Sequence, residues 1–305
     1  MIDAATLPSA SDGEFRFAHL SDPHLTSLSG VRPGTLRDKR LLGWLSWRRK
    51  RRRRHDPAVL AGLVEDARAE GIEHWAITGD LTHIGHPQEL AAARAWLASL
   101  GPPDAVSTIP GNHDLYVADP AGQMHASWAP WMCSDDDRPG FPWLRLRGPV
   151  ALIGLDSAWA AGWLMATGEL GAAQRTLLDG LLDATARAGY LRIVLIHHAP
   201  LPGLDPWRKR LVDADALATI LEQRGAELVL HGHGHALRMH RAEVGVRALP
   251  ILQAPSASAT AGTGDHRAAW LDCRARRQGS SGRIEVLARA PGETLAHHVF
   301  ESSVG

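Results

Sequence analysis

Short apolar runs alternate along the chain with longer stretches whose apolar positions recur every three or four residues. The short runs Phe15–Leu20, His74–Thr78, Ala105–Ile109, Val150–Leu155, Leu191–Ile196 and Glu227–Leu230 predict strands, and most of them end in Asp, Gly or His. Helices are predicted where Leu60, Leu63, Val64 and Ala67 line one face before Gly71, from Pro87 to Leu100, and from Leu170 to Ala186. After Leu237 the helical period is lost, and Leu237–Ala242, Val246–Leu252, Ala268–Cys273 and Arg283–Ala288 read as strands separated by small-residue turns. Strands interleaved with helices predict a layered α/β domain. There is no internal repeat. The low-complexity pieces are an arginine run and the Ala/Ser/Gly/Thr loop Ala254–Gly264.

Composition narrows the class. At 305 residues, with 45% hydrophobic and 22% charged content, the chain is long enough for a sizeable core and too apolar to be disordered. The 33 basic and 33 acidic residues cancel, but eleven bases and one acid, Asp38, fall between Arg32 and Arg54. Two cysteines, Cys133 and Cys273, are too few for a disulfide framework or a thiolate metal site, so a reducing, cytoplasmic setting is expected. No signal peptide or membrane span is expected, because the longest apolar stretch, Ser157–Gly168, is too short to cross a bilayer.

The seventeen histidines are the informative excess. Five short motifs sit at strand ends: Asp22-Pro23-His24, Gly79-Asp80, Gly111-Asn112-His113-Asp114, His197-His198 and His231-Gly232-His233-Gly234-His235. Loops leaving the carboxyl ends of strands converge on one crevice in an open α/β sheet. What would converge is carboxylate, imidazole and amide oxygen without thiolate, a donor set suited to Mn, Fe, Zn, Co or Ni. The donors are too many for one ion. Two ions roughly 3.5–4 Å apart sharing a carboxylate would use them, as in two-metal phosphoryl chemistry.

In this order the five motifs resemble the D-x-H, G-D, G-N-H-D/E, H and G-H-x-H blocks of the calcineurin-like metallophosphoesterase superfamily, over about Phe15 to His235. The resemblance implies a four-layer α-β-β-α sandwich with two mixed sheets and a dinuclear metal site at strand carboxyl ends, in a single domain spanning 1–305. It implies that Asp22, His24 and His235 hold one ion, that Asp80 bridges, and that Asn112, His197 and His233 hold the other, with Mn or Fe expected first. It also implies that His113 sits beside the scissile phosphate and donates a proton to the leaving oxygen, that Asp114 hydrogen-bonds His113, and that the nucleophile is a metal-activated hydroxide. The chain departs from many relatives after Asp80, where Leu81-Thr82-His83 replaces a further acid. His198 is a second candidate in the fourth block, facing substrate. His83 and His86 lie near the bridging carboxylate. His19, His74, His125, His231, His297 and His298 read as ordinary structural or surface histidines.

The basic segment at about 32–55 is an insert the catalytic core does not need. As a helix it would align Leu41, Trp44, Leu45 and Arg48 on one face, the composition of an interfacial helix attracted to anionic lipid. Trp44 and Trp47 are therefore candidate substrate contacts, and Trp159, Trp163 and Met165 candidate pocket walls. The expected activity is hydrolysis of a phosphodiester or pyrophosphate, with a lipid-linked pyrophosphate attractive and peripheral attachment to the inner membrane face its companion. A cyclic-nucleotide or glycerophosphodiester phosphodiesterase is the alternative. A noncatalytic scaffold and a nuclease are the further alternatives; the scaffold is opposed by the intact donor set, and nucleic acid by the net acidic remainder of the chain.

Overall fold

The computed structural model describes residues 7–25, 27–119, 121–244, 247–260 and 263–303. Val246, the first residue of one predicted strand, and residues 261–262 of the small-residue loop lie outside them. Twelve strands form two six-stranded sheets. The first contains β1 (Gly13–Leu20), β2 (Trp75–Thr78), β3 (Val106–Ile109), β10 (Trp270–Gln278), β11 (Ser281–Ala290) and β12 (Glu293–Ser303), in the order β12-β11-β10-β1-β2-β3. The second contains β4 (Trp143–Arg147), β5 (Val150–Gly154), β6 (Leu191–Leu195), β7 (Leu228–His231), β8 (Arg238–Val244) and β9 (Arg247–Gln253), in the order β4-β5-β6-β7-β9-β8. Both are mixed: β1-β2-β3 and β5-β6-β7-β9 are parallel, and their flanks are antiparallel.

The period of two places the layers. On β5 and β6, Val150, Leu152, Leu191, Ile193 and Leu195 join Phe17, Leu20, Trp75 and Ile77 of the first sheet in one apolar core. The alternate residues Ala151, Ile153 and Val194 face the opposite way, packing with Leu178, Leu181 and Leu182 of α5 (Gly171–Arg187) and with Leu217 and Leu221 of α6 (Ala214–Arg224). On the other side, α2 (Pro57–Ala69) and α3 (Pro87–Leu100) bury Leu60, Leu63, Val64, Leu90, Ala93 and Leu97 against the first sheet. The result is the α-β-β-α sandwich.

Local chemistry starts the helices where the sequence suggests. Asp56 caps α2, accepting a hydrogen bond from Ala58 N at 2.8 Å with Pro57 in the first turn. The His86 side chain caps α3, and the Glu89 carboxylate returns to accept from His83, Ile84 and His86 amides. His86 is thus a helix cap.

The insert forms α1 (Arg40–Arg49) and then a 3-10 turn at Arg51–Arg53. Its aromatic face is turned inward: Trp44 and Trp47 are each 8% exposed, packed with Leu28, Val31, Leu36 and Ile84. The expected lipid-facing Trp surface is therefore covered by the protein itself, because burying two indoles against a ready apolar patch outweighs leaving them in water. Leu41 and Leu42 remain exposed. Among the described residues no helix is long and apolar enough to cross a membrane.

Candidate metal centre

The donor residues leave the carboxyl ends of strands in both sheets. Asp22 and His24 follow β1, Asp80 follows β2 and Asn112 follows β3; His197 follows β6, and His233 and His235 follow β7. The turns are tight. Among the described residues seven non-glycines have positive φ, and five are Asp22, His24, Asp80, His233 and His235, at 41° to 67°. Such conformations cost roughly 1–3 kcal/mol each and persist where the surroundings impose them. Two glycines let the loops nest. A Cβ on Gly79, whose φ is 81°, would lie 2.7 Å from Pro110 C, and one on Gly111 would press on the Asp80 carboxylate and sit 2.5 Å from its amide nitrogen.

Three groups of ligand atoms result, and two of them contain Asp80. Asp22, His24, Asp80 and His235 converge in one; Asp80, His197 and His233 converge in the other. Asp80 belongs to both. Asp22, Asp80, His24, His197 and His233 are buried. His235 Nε2 lies 3.0 Å from Asp22 Oδ1, His197 Nε2 3.5 Å and His24 Nε2 3.9 Å from Asp80 Oδ2. Asn112 Oδ1 and His233 Nε2 are buried without any hydrogen-bond partner. Buried donors left unpaired are costly without something to satisfy them, and divalent cations fit that need.

The surrounding bonds aim these donors. His24 Nδ1 donates to Thr82 O at 2.8 Å, and His197 Nδ1 to Thr78 O at 2.7 Å, which leaves each Nε2 for the centre. Asp22 Oδ2 accepts from Ser21 Oγ and from His233 N, at 2.8 and 2.9 Å, tying the first sheet to the second. Burial pushes Asp80 upward, but His197, His113 and His24 together hold it well below the carboxylate range. Burial opposes charge on His197, yet Asp80 and Asp22 raise it to about 10. Positive charge is what these carboxylates stabilise.

His113 and Asp114 are both in the cluster, but not paired as expected. Asp114 turns into the loops: its oxygens accept from Asp80 N at 2.8 Å, Gly111 N at 2.9 Å and Thr82 N at 2.9 Å. Three buried amides leave its carboxylate no room for His113, and burial with Asp80 nearby raises it to about 7. His113 Nδ1 donates instead to His83 O at 2.6 Å, while burial and then Arg51 lower its pKa to about 3. Asp114 clamps the loops and His83 orients His113.

The cleft beside the donors, about 560 Å³, is lined by His24, Asp80, Asn112, His113, His233 and His235 together with Arg51, Arg54, His55, Lys209 and His266. An adjoining cavity of about 260 Å³ shares Arg51, Asn112 and His113 and continues along Gly43, Ser46, Tyr116, Trp163 and Met165. Trp163 and Met165 thus reach the cavity, whereas Trp159 bonds Thr167 O and does not. Trp44 and Trp47 line neither cavity; they support it from beneath. His198 is fully buried, with Nδ1 2.8 Å from Ser157 Oγ, so it is closed off from any substrate.

Arg51, Arg54, His55, Lys209 and His266 escaped the sequence reading. His55 stands 4.4 Å from His24 ring to ring, and its Nδ1 bonds Ser258 Oγ, so it joins His24 and His235 as a further potential donor. Its signal was its place beside the Asp56-Pro57 helix start, which fixes it where β1 and β2 end. The arginines were hidden in an undifferentiated basic run.

The profile of the calcineurin-like phosphoesterase family matches residues 15–237. The chain belongs to that family. No curated protein matches at a significant level. Among solved structures it is similar to a dimetal phosphatase from Danio rerio, at 15% identity and TM-score 0.65, covering 95% of this chain and 99% of that one. It is also similar to GAP50, described as the anchor in the inner membrane complex of Plasmodium, at 9% identity and TM-score 0.53, covering 96% and 89%. These likenesses are of fold.

Proposed function

We propose that the protein hydrolyses phosphodiester or pyrophosphate bonds using two divalent cations held by Asp22, His24, Asp80, Asn112, His197, His233 and His235. The observation that carries this reading is Asp80, whose carboxylate is common to two adjacent groups of mostly buried donors, among which His197 Nε2 and His233 Nε2 have no hydrogen-bond partner. Such cations, when bound, acidify water and neutralise charge on a phosphoryl group. The chain supplies the rest. Asp22 and the tethered imidazoles keep the donors aimed, Asp114 holds three loops in register, and His113 stands at the cleft with its orientation set by His83 O. Burial and Arg51 lower the pKa of His113, and a bound phosphate anion, by offsetting both, favours the protonated imidazole that a proton donor needs. The core shared by both sheets supports one domain with the insert as an elaboration. The free cysteines Cys133 and Cys273 support a cytoplasmic setting.

The test is hydrolysis of bis(p-nitrophenyl) phosphate by protein supplied with Mn or Fe, alongside elemental analysis. Two metals per chain are expected in the wild type. Asp80→Asn should lose metal and more than a hundredfold in kcat. A chain without bound metal and without turnover would make it a scaffold. A panel of cyclic nucleotides, glycerophosphodiesters and monoesters separates the phosphodiesterase alternatives. His113→Ala should cost far more with poor leaving groups than with p-nitrophenolate; equal losses would remove its proton-donor role.

A further inference from the structure

The insert brings two arginines to the cleft for a geometric reason. In a 3-10 turn, residues three apart eclipse, so Arg51 and Arg54 fall on the side facing the donors, and both line the cleft while Arg52 and Arg53 do not. The turn is fixed there by the β9–β10 connection. Thr260 N donates to Arg54 O at 3.0 Å, Thr260 Oγ1 to Arg53 O at 2.7 Å, and Asp56 N to Ser258 O at 2.8 Å. Lys209 enters from the loop before α6, and His233 lies within its field.

Arg51 feels Asp80 and Glu89 through the field without an ion pair to either. Among the described residues no carboxylate makes an ion pair with Arg51, Arg54 or Lys209. Arg51 Nη1 lies 3.0 Å from the ring nitrogens of His113, and burial lowers the pKa of its guanidinium. Asp205 feels Lys209 through the field without touching it. Two divalent cations, once held by Asp22, Asp80 and the neutral donors, would leave the centre positive, and the three side chains would add to that excess. A substrate with one singly charged diester phosphate does not balance it. A guanidinium fork matches phosphate oxygens two at a time, and Arg51 spans both the main cleft and the adjoining cavity.

We propose that Arg51 and Arg54, with Lys209 of the same cleft, form a cradle for a second phosphoryl group of the substrate, next to the one that is cleaved. Resting on the reading above, this narrows the substrate to a pyrophosphate-linked diester, its remaining part lying toward Trp163 and Met165. The insert is then a specificity element of the site, acting through two of its seven consecutive bases.

Binding tests this apart from turnover. Calorimetry on the purified protein compares UDP-glucose, which has two phosphoryl groups, with uridine 5′-(methyl phosphate), which has one. The wild type should bind UDP-glucose at least tenfold more tightly, and the preference should fall below threefold in Arg51→Gln and in Arg54→Gln. Arg54 is exposed, so its variant keeps the fold even if Arg51→Gln disturbs the packing on His113. Arg51→Lys should retain part of the preference, and Arg52→Gln, outside the cleft, all of it. Equal affinities in the wild type, or a preference that survives both glutamine variants, would overturn the proposal. Absence of hydrolysis with either metal would sink the catalytic reading while leaving this binding preference to be read on its own.

Discussion

Gly111 shows how closely the backbone approaches the donors. An added methyl meets the Asp80 carboxylate and amide, so Gly111→Ala should lose at least one metal per chain by elemental analysis and about 1–3 kcal/mol of stability in urea titration. His74, far from the centre, offers a pH test. It is buried against Ser107 Oγ at 3.0 Å, and burial, then Arg147 and Arg145, lower its pKa to about 3. The unfolded chain takes up this proton below about pH 6.5 and the native chain does not. The contribution to stability is therefore complete above about pH 6.5 and is lost as pH falls toward about 3, at up to about 1.4 kcal/mol per unit. His74→Asn should flatten the fall in urea midpoint between pH 7.5 and 5; an unchanged slope would refute the assignment. At this scale the donors were legible, because carboxylates and imidazoles at strand ends have few other reasons to be buried together. Partners such as His83 O for His113 were not legible, since a backbone carbonyl leaves no trace in residue identity.

Elements were legible where their period was clean. The helix predicted from Pro87 to Leu100 is α3 residue for residue, and ten predicted strands lie within a few residues of those observed. Two strands and two helices went unread. β4, Trp143–Arg147, carries Arg145 buried at 2% exposure, satisfied by Cys133 O, Pro103 O and Val106 O. An inward arginine breaks the alternation by which strands are recognised. β12 is a polar flank strand, and the six-residue α4 (Gln123–Trp128) is too short to show a period. In α6 the helical spacing rests on Ala214, Leu217 and Leu221 alone. For α1 the composition was right and the direction wrong: only tertiary packing decides which way an amphipathic face points. Trp44→Ala should accordingly destabilise the protein by about 3 kcal/mol. Anionic vesicles should leave tryptophan emission unshifted; a blue shift would restore the membrane reading.

On the scale of the whole molecule, the centre joins two sheets that also meet through the apolar core and through β4, where Arg145 and Trp143 donate to Val106 O and Thr108 O of β3. Each of the two cations, at about a hundredfold over its dissociation constant, would add about 2.7 kcal/mol. Chelation should therefore lower the melting temperature by roughly 5–10 °C in a chain of this size. Asp80→Asn, which cannot hold the pair, should show little further change on chelation. The layered class was readable from alternation, but the strand order was not. Nothing local says that β10, more than 250 residues after β1 begins, returns to its free edge.

That strand order bears on how the chain is made. β4 to β9 are a continuous stretch and can assemble as they leave the ribosome, whereas β1, β2 and β3 wait for β10 to cover the edge of β1. His233 and His235 emerge before that edge is closed, so all the donors exist in a nascent chain whose first sheet is half built. The sheet begun first is finished last.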